Sequence, residues 1–364
     1  MPSTELLAPG VVRGRWHRTL ADGRVECELC PRACRLRDGQ RGFCFVRERR
    51  GDDIVLTSYG RATGFHVDPI EKKPLYHFHP GSPILSFGTA GCNLGCRYCQ
   101  NWESSRARAV DARADPVTPE QVARMALDTR CDSVAFTYND PVVFAEFAID
   151  AARACRERGV AAVAVTAGYV APAARRELFA VMDAANVDLK AITPEFYARL
   201  CAGRLDPVLD TLRHVARDTA CWLEVTTLLI PGHNDADDEI ARLSAWCVRE
   251  LGPDVPLHFS AFHPDHRLRD VPRTPVATCV RARAIARREG ARHVYTGNVR
   301  DPDGQTTHCA ACGAAVIERD GYAMGRLRLR EGACLGCGTP LAGRFLAEGA
   351  APGDVRRRPR EVPP

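Results

Sequence analysis

Three cysteines lie close together in the stretch 91–102, with the spacing C-x3-C-x2-C: Cys92, Cys96 and Cys99. Iron–sulfur clusters that only transfer electrons normally take four cysteine ligands. Three thiolates leave one iron of a 4Fe-4S cube open to bind another molecule. A zinc knuckle and unrelated buried thiols are the alternatives, but zinc knuckles prefer C-x2-C pairs and four ligands. The spacing therefore predicts a 4Fe-4S cluster with one open iron.

Tyr98 stands directly before the third cysteine, and this arrangement resembles the signature of the radical S-adenosylmethionine (radical SAM) enzymes. The resemblance implies that the open iron chelates the amino and carboxylate groups of the methionine moiety. It also implies that an electron from the cluster cleaves the sulfonium and yields a 5′-deoxyadenosyl radical, which abstracts hydrogen from a substrate. Cys92, Cys96 and Cys99 would be the catalytic cluster ligands, and Tyr98 would lie among the cofactor-binding residues.

Two further cysteine clusters flank this stretch. The N-terminal one lies in a segment with several glycines and almost no apolar periodicity, so it needs a metal to hold it together. Zinc and an auxiliary iron–sulfur cluster both fit its ligands, Cys27, Cys30, Cys34 and Cys44. Near the C-terminus, two C-x2-C-Gly knuckles predict a zinc ribbon, with the ligands Cys309, Cys312, Cys334 and Cys337. The remaining cysteines stand singly, and we expect core residues: Cys131, Cys155, Cys201, Cys221, Cys247 and Cys279.

The composition is ordinary for a globular protein of 364 residues, with 45% hydrophobic and 26% charged residues. A net charge of +5 is too small to indicate a nucleic-acid partner by itself. The chain has no apolar run of about 18 residues that could span a membrane, and its first residues have no signal-peptide pattern. We therefore expect a cytoplasmic protein without a membrane partner.

Short apolar, β-branched runs alternate with helical stretches from residue 83 onward, which predicts βαβ units and a parallel sheet. The predicted strands are 83–87, 133–137, 161–166, 187–190, 222–230, 256–262 and 293–296. The predicted helices include 144–157, 171–184, 237–251 and 276–288. Thr118 and Thr193 are predicted N-caps, and Gln121 completes a capping box with Thr118.

Polar residues follow nearly every predicted strand, as on the catalytic face of a (β/α) barrel. The glycine pattern of a dinucleotide-binding fold follows none of them. The fold class is therefore predicted to be α/β, with a full or partial (β/α) barrel of the radical-SAM type. We expect four regions: a Cys-rich metal module at 1–60, the barrel at 61–302, a zinc-ribbon-like domain at 303–347 and a disordered tail at 348–364.

The predicted strand ends offer partners for the cofactor. Asn139 and Asp140 follow the second strand and are placed for its ammonium group, with an Asx-type turn as the alternative. Lys190 is one of three lysines in an arginine-rich chain and could pair with the cofactor carboxylate. Asp188 could accept a hydrogen bond from a ribose hydroxyl, or the two residues could form a plain salt bridge. His258 could handle protons or be an ordinary hydrogen-bonded residue.

The resemblance extends along most of the chain and is closest to the radical SAM enzyme of the AmmeMemoRadiSam system, a branch similar to the glycyl-radical (pyruvate formate-lyase) activating enzymes. It is carried by 27–44, 68–77, 91–102, 138–141, 188–190, 230–235, 258–264, 294–298 and 309–337. Two positions depart from the pattern. Asp140 stands where glutamate is expected, which shortens its reach to the cofactor, and Ala167 stands where asparagine is usual.

The resemblance implies hydrogen abstraction from a macromolecule, most simply a protein. The implied partners are Memo-like and Ammecr-like proteins and an electron donor, either flavodoxin or ferredoxin. RNA modification is the alternative enzymatic hypothesis, but the sequence shows no basic stripe interleaved with aromatic residues. A metal-holding scaffold without catalysis is a third hypothesis, and it predicts zinc in all three cysteine clusters.

Overall fold

The computed structural model describes residues 4–107 and 115–346. The predicted disordered tail, 348–364, lies outside the described residues. In the described part, a central α/β domain carries a small β-rich module at its N-terminal side and a second β-rich module at its C-terminal side. No helix in these ranges is both long and apolar enough to cross a bilayer.

The N-terminal module consists of two small antiparallel sheets. Its strands are β1 (Leu6–Ala8), β2 (Val11–Arg13), β3 (His17–Thr19), β4 (Val25–Cys27), β5 (Arg35–Leu36), β6 (Arg47–Arg50) and β7 (Asp53–Leu56). One sheet has the order β1-β2-β7-β6 and the other has the order β3-β4-β5. Val12, Val25 and Ile54 are fully buried and belong to the same hydrophobic core as the central domain. The module therefore gains its burial by packing on the central domain, as expected for so short a segment.

The central domain alternates strands with helices. Its strands are β8 (Arg61–Pro69), β9 (Pro83–Gly88), β10 (Asp115–Pro116), β11 (Ser133–Phe136), β12 (Ala161–Thr166), β13 (Ala184–Asp188), β14 (Trp222–Leu229), β15 (Leu257–Ala261) and β16 (Val294–Gly297). Its helices are α1 (Trp102–Ser105), α2 (Pro119–Asp128), α3 (Ala145–Arg156), α4 (Pro172–Phe179), α5 (Pro194–Phe196), α6 (Asp206–Asp218), α7 (Asp237–Leu251) and α8 (Val276–Arg288). Short helical turns also occupy Ile70–Lys72, Pro141–Phe144 and Tyr197–Cys201.

These strands form one nine-stranded sheet with the order β10-β8-β9-β11-β12-β13-β14-β15-β16. From β9 to β16 every neighbouring pair is parallel, whereas β8 runs antiparallel to β9 and β10 antiparallel to β8. The predicted α/β class with a large parallel sheet is thus confirmed. Strands β10 and β16 are the two edges, and no ladder joins them in the described ranges, so closure into a full barrel is not confirmed.

The predicted elements agree with the structure best where the local pattern was strongest. Thr118 caps α2, its side chain accepting from the Gln121 amide N–H, and the Gln121 side chain accepts in return from the Thr118 amide, so the capping box is confirmed. Thr193 occupies the N-cap position of α5, as predicted, but its hydroxyl donates to Glu239 and accepts no hydrogen bond from the helix backbone. The helix predicted to reach 184 ends at Phe179, because Ala184 already pairs with Val163 in the sheet.

The C-terminal module begins with α9 (Pro302–Gln305) and contains β17 (Thr307–His308), β18 (Ala315–Asp320), β19 (Ala323–Leu327), β20 (Leu329–Arg330) and β21 (Ala333–Cys334). Arg319 of β18 is fully buried and pairs with the Glu71 carboxylate at 3.4 Å. It also donates to the Tyr76 carbonyl at 2.7 Å. A second contact joins the Arg344 backbone to His77 and His79. A buried charge is stable only when it is paired, so Arg319 fixes this module against the central domain.

Candidate active site

The loop after β9 carries Cys92, Cys96 and Cys99, which we call the cysteine trio. Gly91 precedes it with φ of +86°, a conformation that side chains rarely adopt, and a Cβ there would meet the Cys44 carbonyl at 2.2 Å. The Leu94 amide donates to the Cys92 sulfur at 3.5 Å. Farther along, the amide of Gly95 donates to the Cys201 carbonyl at 2.8 Å. The loop is therefore held by backbone contacts to two other segments, and its sulfurs face a cavity.

The spacing of the trio's sulfur atoms bears on the kind of metal that could be bound. Within the described residues, one group of three or more metal-binding side chains has all its ligand atoms within 4.8 Å of one another, and it is the C-terminal cysteine quartet. In the trio, at least one pair of sulfur atoms lies more than 4.8 Å apart. In a 4Fe-4S cube each thiolate binds a different iron at its own corner, so the sulfurs lie farther apart than around a single ion. The trio therefore does not have the spacing of a single-ion site, and a cube does not require that spacing.

A cavity of about 320 Å³ opens beside the trio. Residues from the carboxyl ends of consecutive parallel strands line it, including Thr137, Ala167, Asp188, Thr226, Ser260 and Gly297. The carboxyl ends of parallel strands meet at one edge of a sheet, where ligands bind in α/β folds. The sequence predicted polar residues after nearly every strand. In the structure, residues near the ends of several of these strands line the same cavity.

Asn139 and Asp140 line this cavity, but both are engaged by the protein itself. The Asn139 side chain accepts from the Thr89 amide at 3.1 Å and donates to the Gly91 carbonyl at 2.8 Å, which holds the start of the cysteine loop. Asp140 is 2% exposed and accepts from the Ala167 amide at 2.9 Å. It also accepts from Val142 N–H and from the Thr166 hydroxyl. The turn-forming alternative is therefore what the hydrogen bonds show, and cofactor contact by these residues stays a prediction.

Lys190 and Asp188 form an ion pair of 2.8 Å on the cavity wall. Burial lowers the pKa of Lys190, but the charges of Asp188 and Cys96 outweigh it and raise that pKa well above its ordinary value. The lysine is thus a fixed cation near the trio. The salt bridge that the sequence left as an alternative is present, and contact between Lys190 and the cofactor stays a prediction.

Cys201 is the residue that sequence reasoning missed. It was expected to be a core residue and it is indeed buried, but its sulfur lies 3.2 Å from the Tyr98 hydroxyl. A hydrogen bond from Cys201 and the charge of Lys190 lower the pKa of Cys96 to about 7, although burial opposes them. Cys201 ends the π-helical turn Tyr197–Cys201, far along the chain from the trio. Its isolated position in the sequence offers no signal for this contact.

We expect replacement of Cys201 by alanine to lower the reduction potential of a cluster bound at the trio. Hydrogen bonds to cluster sulfurs stabilise the reduced state, which carries more negative charge. The replacement removes one hydrogen-bond donor to the Cys96 sulfur and leaves all three cluster ligands in place. The measurement is a redox titration followed by electron paramagnetic resonance, with Cys221→Ala as the matched control because Cys221 is buried elsewhere. An unchanged potential with unchanged iron content would contradict the proposed contact.

Beneath the cavity, Glu224 forms the centre of a buried hydrogen-bond network. Its carboxylate binds the His258 Nε2 at 2.7 Å and accepts from the backbone amides of Tyr76 and His77 at 2.7–3.0 Å. Burial by itself would raise the pKa of Glu224. The hydrogen bond with His258 and the nearby charges together have the larger effect, so the pKa of Glu224 lies below its ordinary value. His258 is therefore held by Glu224 while it lines the cavity, and a role in proton handling stays a prediction.

The C-terminal quartet has the geometry of a single-ion site. The sulfur atoms of Cys309 and Cys337 lie 3.6 Å apart, and those of Cys312 and Cys334 lie 3.8 Å apart. Zinc–sulfur bonds of about 2.3 Å in a tetrahedron place the sulfurs about 3.8 Å apart. The quartet could thus hold a tetrahedral metal ion. In the N-terminal module, burial raises the pKa of the Cys27 thiol to about 11.

Comparison with known proteins identifies the class that this fold and loop define. Residues 87–244, which run from β9 into α7, match the radical SAM superfamily. This part of the chain is a radical SAM domain, and the protein is an enzyme of the radical SAM class, which excludes the non-catalytic scaffold as a complete description. A domain of this class implies S-adenosylmethionine and a 4Fe-4S cluster as cofactors, and the three thiols of the trio are the chemistry that such a cluster requires.

Individual relatives are consistent with that class. The chain is 39% identical over 304 residues to the uncharacterized protein MJ0808 of Methanocaldococcus jannaschii, covering 84% of this chain and 90% of that protein. It is 25% identical over 194 residues to the pyruvate formate-lyase 1-activating enzyme of Escherichia coli, covering 50% of this chain and 75% of that enzyme. A radical SAM methyltransferase from Sphaerobacter thermophilus shares the fold, with a TM-score of 0.50 at 17% identity over 84% of this chain and 80% of that structure.

Proposed function

We propose that this enzyme reductively cleaves S-adenosylmethionine and uses the resulting 5′-deoxyadenosyl radical to abstract hydrogen from a protein substrate. The observation that carries the proposal is the arrangement of three widely spaced thiols, Cys92, Cys96 and Cys99, at the mouth of a cavity whose wall holds the Lys190–Asp188 pair. The likeness to a pyruvate formate-lyase activating enzyme supports a protein substrate. The proposal places the enzyme in the AmmeMemoRadiSam branch, with a partial barrel around the cavity.

The roles of the chain's own residues follow from their positions. When bound, the cluster supplies the electron that breaks the sulfonium bond. Lys190 binds the carboxylate of the cofactor, and Asp188 accepts from a ribose hydroxyl. Asn139 keeps the loop at Gly91 in place, and Asp140 holds the end of β11 to β12 through its bonds to Thr166 and Ala167. The Tyr98 hydroxyl contacts the Cys201 sulfur and so helps to hold the loop that carries the trio.

The remaining parts of the proposal concern partners and location. We propose Memo-like and Ammecr-like proteins as partners or substrates, a flavodoxin or ferredoxin as electron donor, zinc in the C-terminal quartet and a cytoplasmic location. The sulfur distances of 3.6 and 3.8 Å support the zinc site. The other statements derive from the sequence resemblance.

The test of the substrate class is isotope transfer. The enzyme is incubated anaerobically with reductant, S-adenosylmethionine and uniformly deuterated candidate partner proteins, and 5′-deoxyadenosine is analysed by mass spectrometry. We expect deuterium in 5′-deoxyadenosine with a protein partner, because the radical takes its hydrogen from the substrate. Label transfer from deuterated RNA but from no candidate protein would refute the protein substrate in favour of RNA modification.

Replacing Lys190 by methionine should weaken cofactor binding. The ammonium group contributes a hydrogen bond to a charged group, which is typically worth about 1.5–3 kcal/mol, or about tenfold to a hundredfold in the Kd of S-adenosylmethionine. The measurement is calorimetric titration of the anaerobic, iron-loaded protein. Arg242→Met is the matched control, since Arg242 is exposed and pairs with Asp238 on the surface. Equal Kd values for the two variants would count against the assignment of Lys190.

A further inference from the structure

We propose that the N-terminal quartet of Cys27, Cys30, Cys34 and Cys44 binds an auxiliary 4Fe-4S cluster, and that its metal is not zinc. The residue pattern alone is compatible with both metals. The spacing of the sulfur atoms favours one metal over the other. The other two cysteine clusters of this chain serve as the comparison.

Around one zinc ion, four thiolates at about 2.3 Å lie about 3.8 Å from one another. The C-terminal quartet shows this spacing, at 3.6 and 3.8 Å for two of its pairs. In the N-terminal quartet, no three ligand atoms lie within 4.8 Å of one another, and all four residues are among those described. The trio at Cys92, Cys96 and Cys99 exceeds the same limit. The N-terminal quartet therefore resembles the iron–sulfur site of this chain and differs from its single-ion site.

The wide spacing is not a sign that the four thiols point into different regions. Strands β4 and β5 pair so that the Cys27 amide donates to the Cys34 carbonyl at 2.9 Å, which places these residues opposite each other. A Cβ on Gly42 would lie 3.6 Å from the Cys34 sulfur, so the loop that carries Cys44 closes over Cys34. The charges of Cys27, Cys44 and Cys34 also reach Cys30. The four thiols thus lie near one another in one small segment, although their sulfurs are not held at the spacing of a single ion.

The surroundings of the quartet suit a negatively charged cluster. Backbone N–H groups of Leu29, Arg32 and Val46 are directed at the sulfurs two residues before them. Arg47 is 1% exposed and lies close enough to Cys27 and Cys44 to interact with their charges. N–H donors and a buried cation stabilise the thiolate-bound form and tune a cluster.

The quartet also packs directly against the loop of the trio. The Cys44 carbonyl approaches Gly91 so closely that a side chain there is excluded. The Arg32 guanidinium donates to the Asn93 and Ala202 carbonyls and stacks on the Phe43 ring at 3.4 Å. The auxiliary cluster and the catalytic cluster would therefore be neighbours, joined through contacts of the backbone.

The experiment removes the catalytic cluster and asks what metal remains. A Cys92→Ala/Cys96→Ala/Cys99→Ala variant is reconstituted anaerobically with iron and sulfide, and its metals are counted together with a Mössbauer spectrum. We expect about four irons with the spectrum of a 4Fe-4S cluster and about one zinc per chain. Two zincs and no cluster spectrum would overturn the proposal. The quartet is unaltered in this variant, so loss of its fold does not confuse the result.

The reciprocal arm uses the intact trio. Full-length enzyme should contain about eight irons, and Cys30→Ser/Cys34→Ser should lose about four of them while keeping its zinc. Loss of zinc with full retention of iron would overturn the proposal. Cys279→Ala is the control, because this buried cysteine of α8 belongs to none of the clusters. Metal counting requires no cofactor turnover, so the result is independent of whether S-adenosylmethionine is cleaved.

Discussion

Replacing Cys99 by alanine is expected to reduce formation of 5′-deoxyadenosine at least about 1,000-fold, since loss of a ligand exceeds the 10–100-fold cost of losing an outer-shell partner. Cys99 is one of three thiolates that hold the proposed cube. With two ligands left, the loop would not hold a cluster at the cavity, and the electron for cleavage would not be supplied there. The measurement is anaerobic product formation from S-adenosylmethionine with dithionite as the reductant.

Cys247→Ala is the matched control for this experiment. Cys247 is buried in α7, so the control removes a buried thiol of the same size without touching a cluster. We expect it to keep the activity and the iron content of the unaltered enzyme. Product formation by the Cys99 variant at the rate of the control would refute the assignment of the trio as the catalytic cluster site.

Replacing Arg47 by alanine is expected to destabilise the protein by about 3–5 kcal/mol, because it leaves a buried carboxylate without its partner. Arg47 of β6 and Glu146 of α3 are 1% and 0% exposed in their side chains. The guanidinium donates to Glu146 Oε1 at 2.7 Å and to the Val143 carbonyl at 3.2 Å. The pair joins the N-terminal module to the central domain. The measurement is urea denaturation of the metal-loaded protein, monitored by circular dichroism.

Arg50→Ala provides the comparison for the buried pair. Arg50 lies on the same strand, is 48% exposed and pairs with Glu48 at 2.9 Å. Exposed pairs of this kind contribute about 0–1 kcal/mol, so the control should unfold nearly like the unaltered protein. If the Arg47 variant lost no more free energy of unfolding than the Arg50 variant, the anchoring role of the buried pair would be wrong.

The sequence predicted those features that depend on residues near one another in the chain. The spacing of Cys92, Cys96 and Cys99 indicated the radical SAM class, which the family comparison confirms. Alternation of apolar runs with helical stretches predicted the parallel sheet, because period and length are local properties. The capping box at Thr118 is a four-residue pattern and was confirmed for the same reason.

Other features depend on contacts between distant segments and could not be predicted in this way. Glu224 looks like a polar residue in an apolar strand, and its partners His258, Tyr76 and His77 come from other elements. The antiparallel strand β8, which lies between β10 and β9, carries no signal in the sequence that distinguishes it from a loop or from another parallel strand. Its pairing with β9 follows from the fold as a whole.

The sequence by itself determined that the protein is an enzyme of the radical SAM class, because the spacing of three cysteines along one short loop is a local property. The tertiary structure decided that the C-terminal quartet alone among the described residues has single-ion spacing, and that Cys201 approaches Tyr98 in the loop of the trio. It also decided that Asp140 is occupied by backbone and hydroxyl donors. These outcomes depend on how strands and loops that are distant in the sequence pack together. A pattern of neighbouring residues contains no information on such contacts.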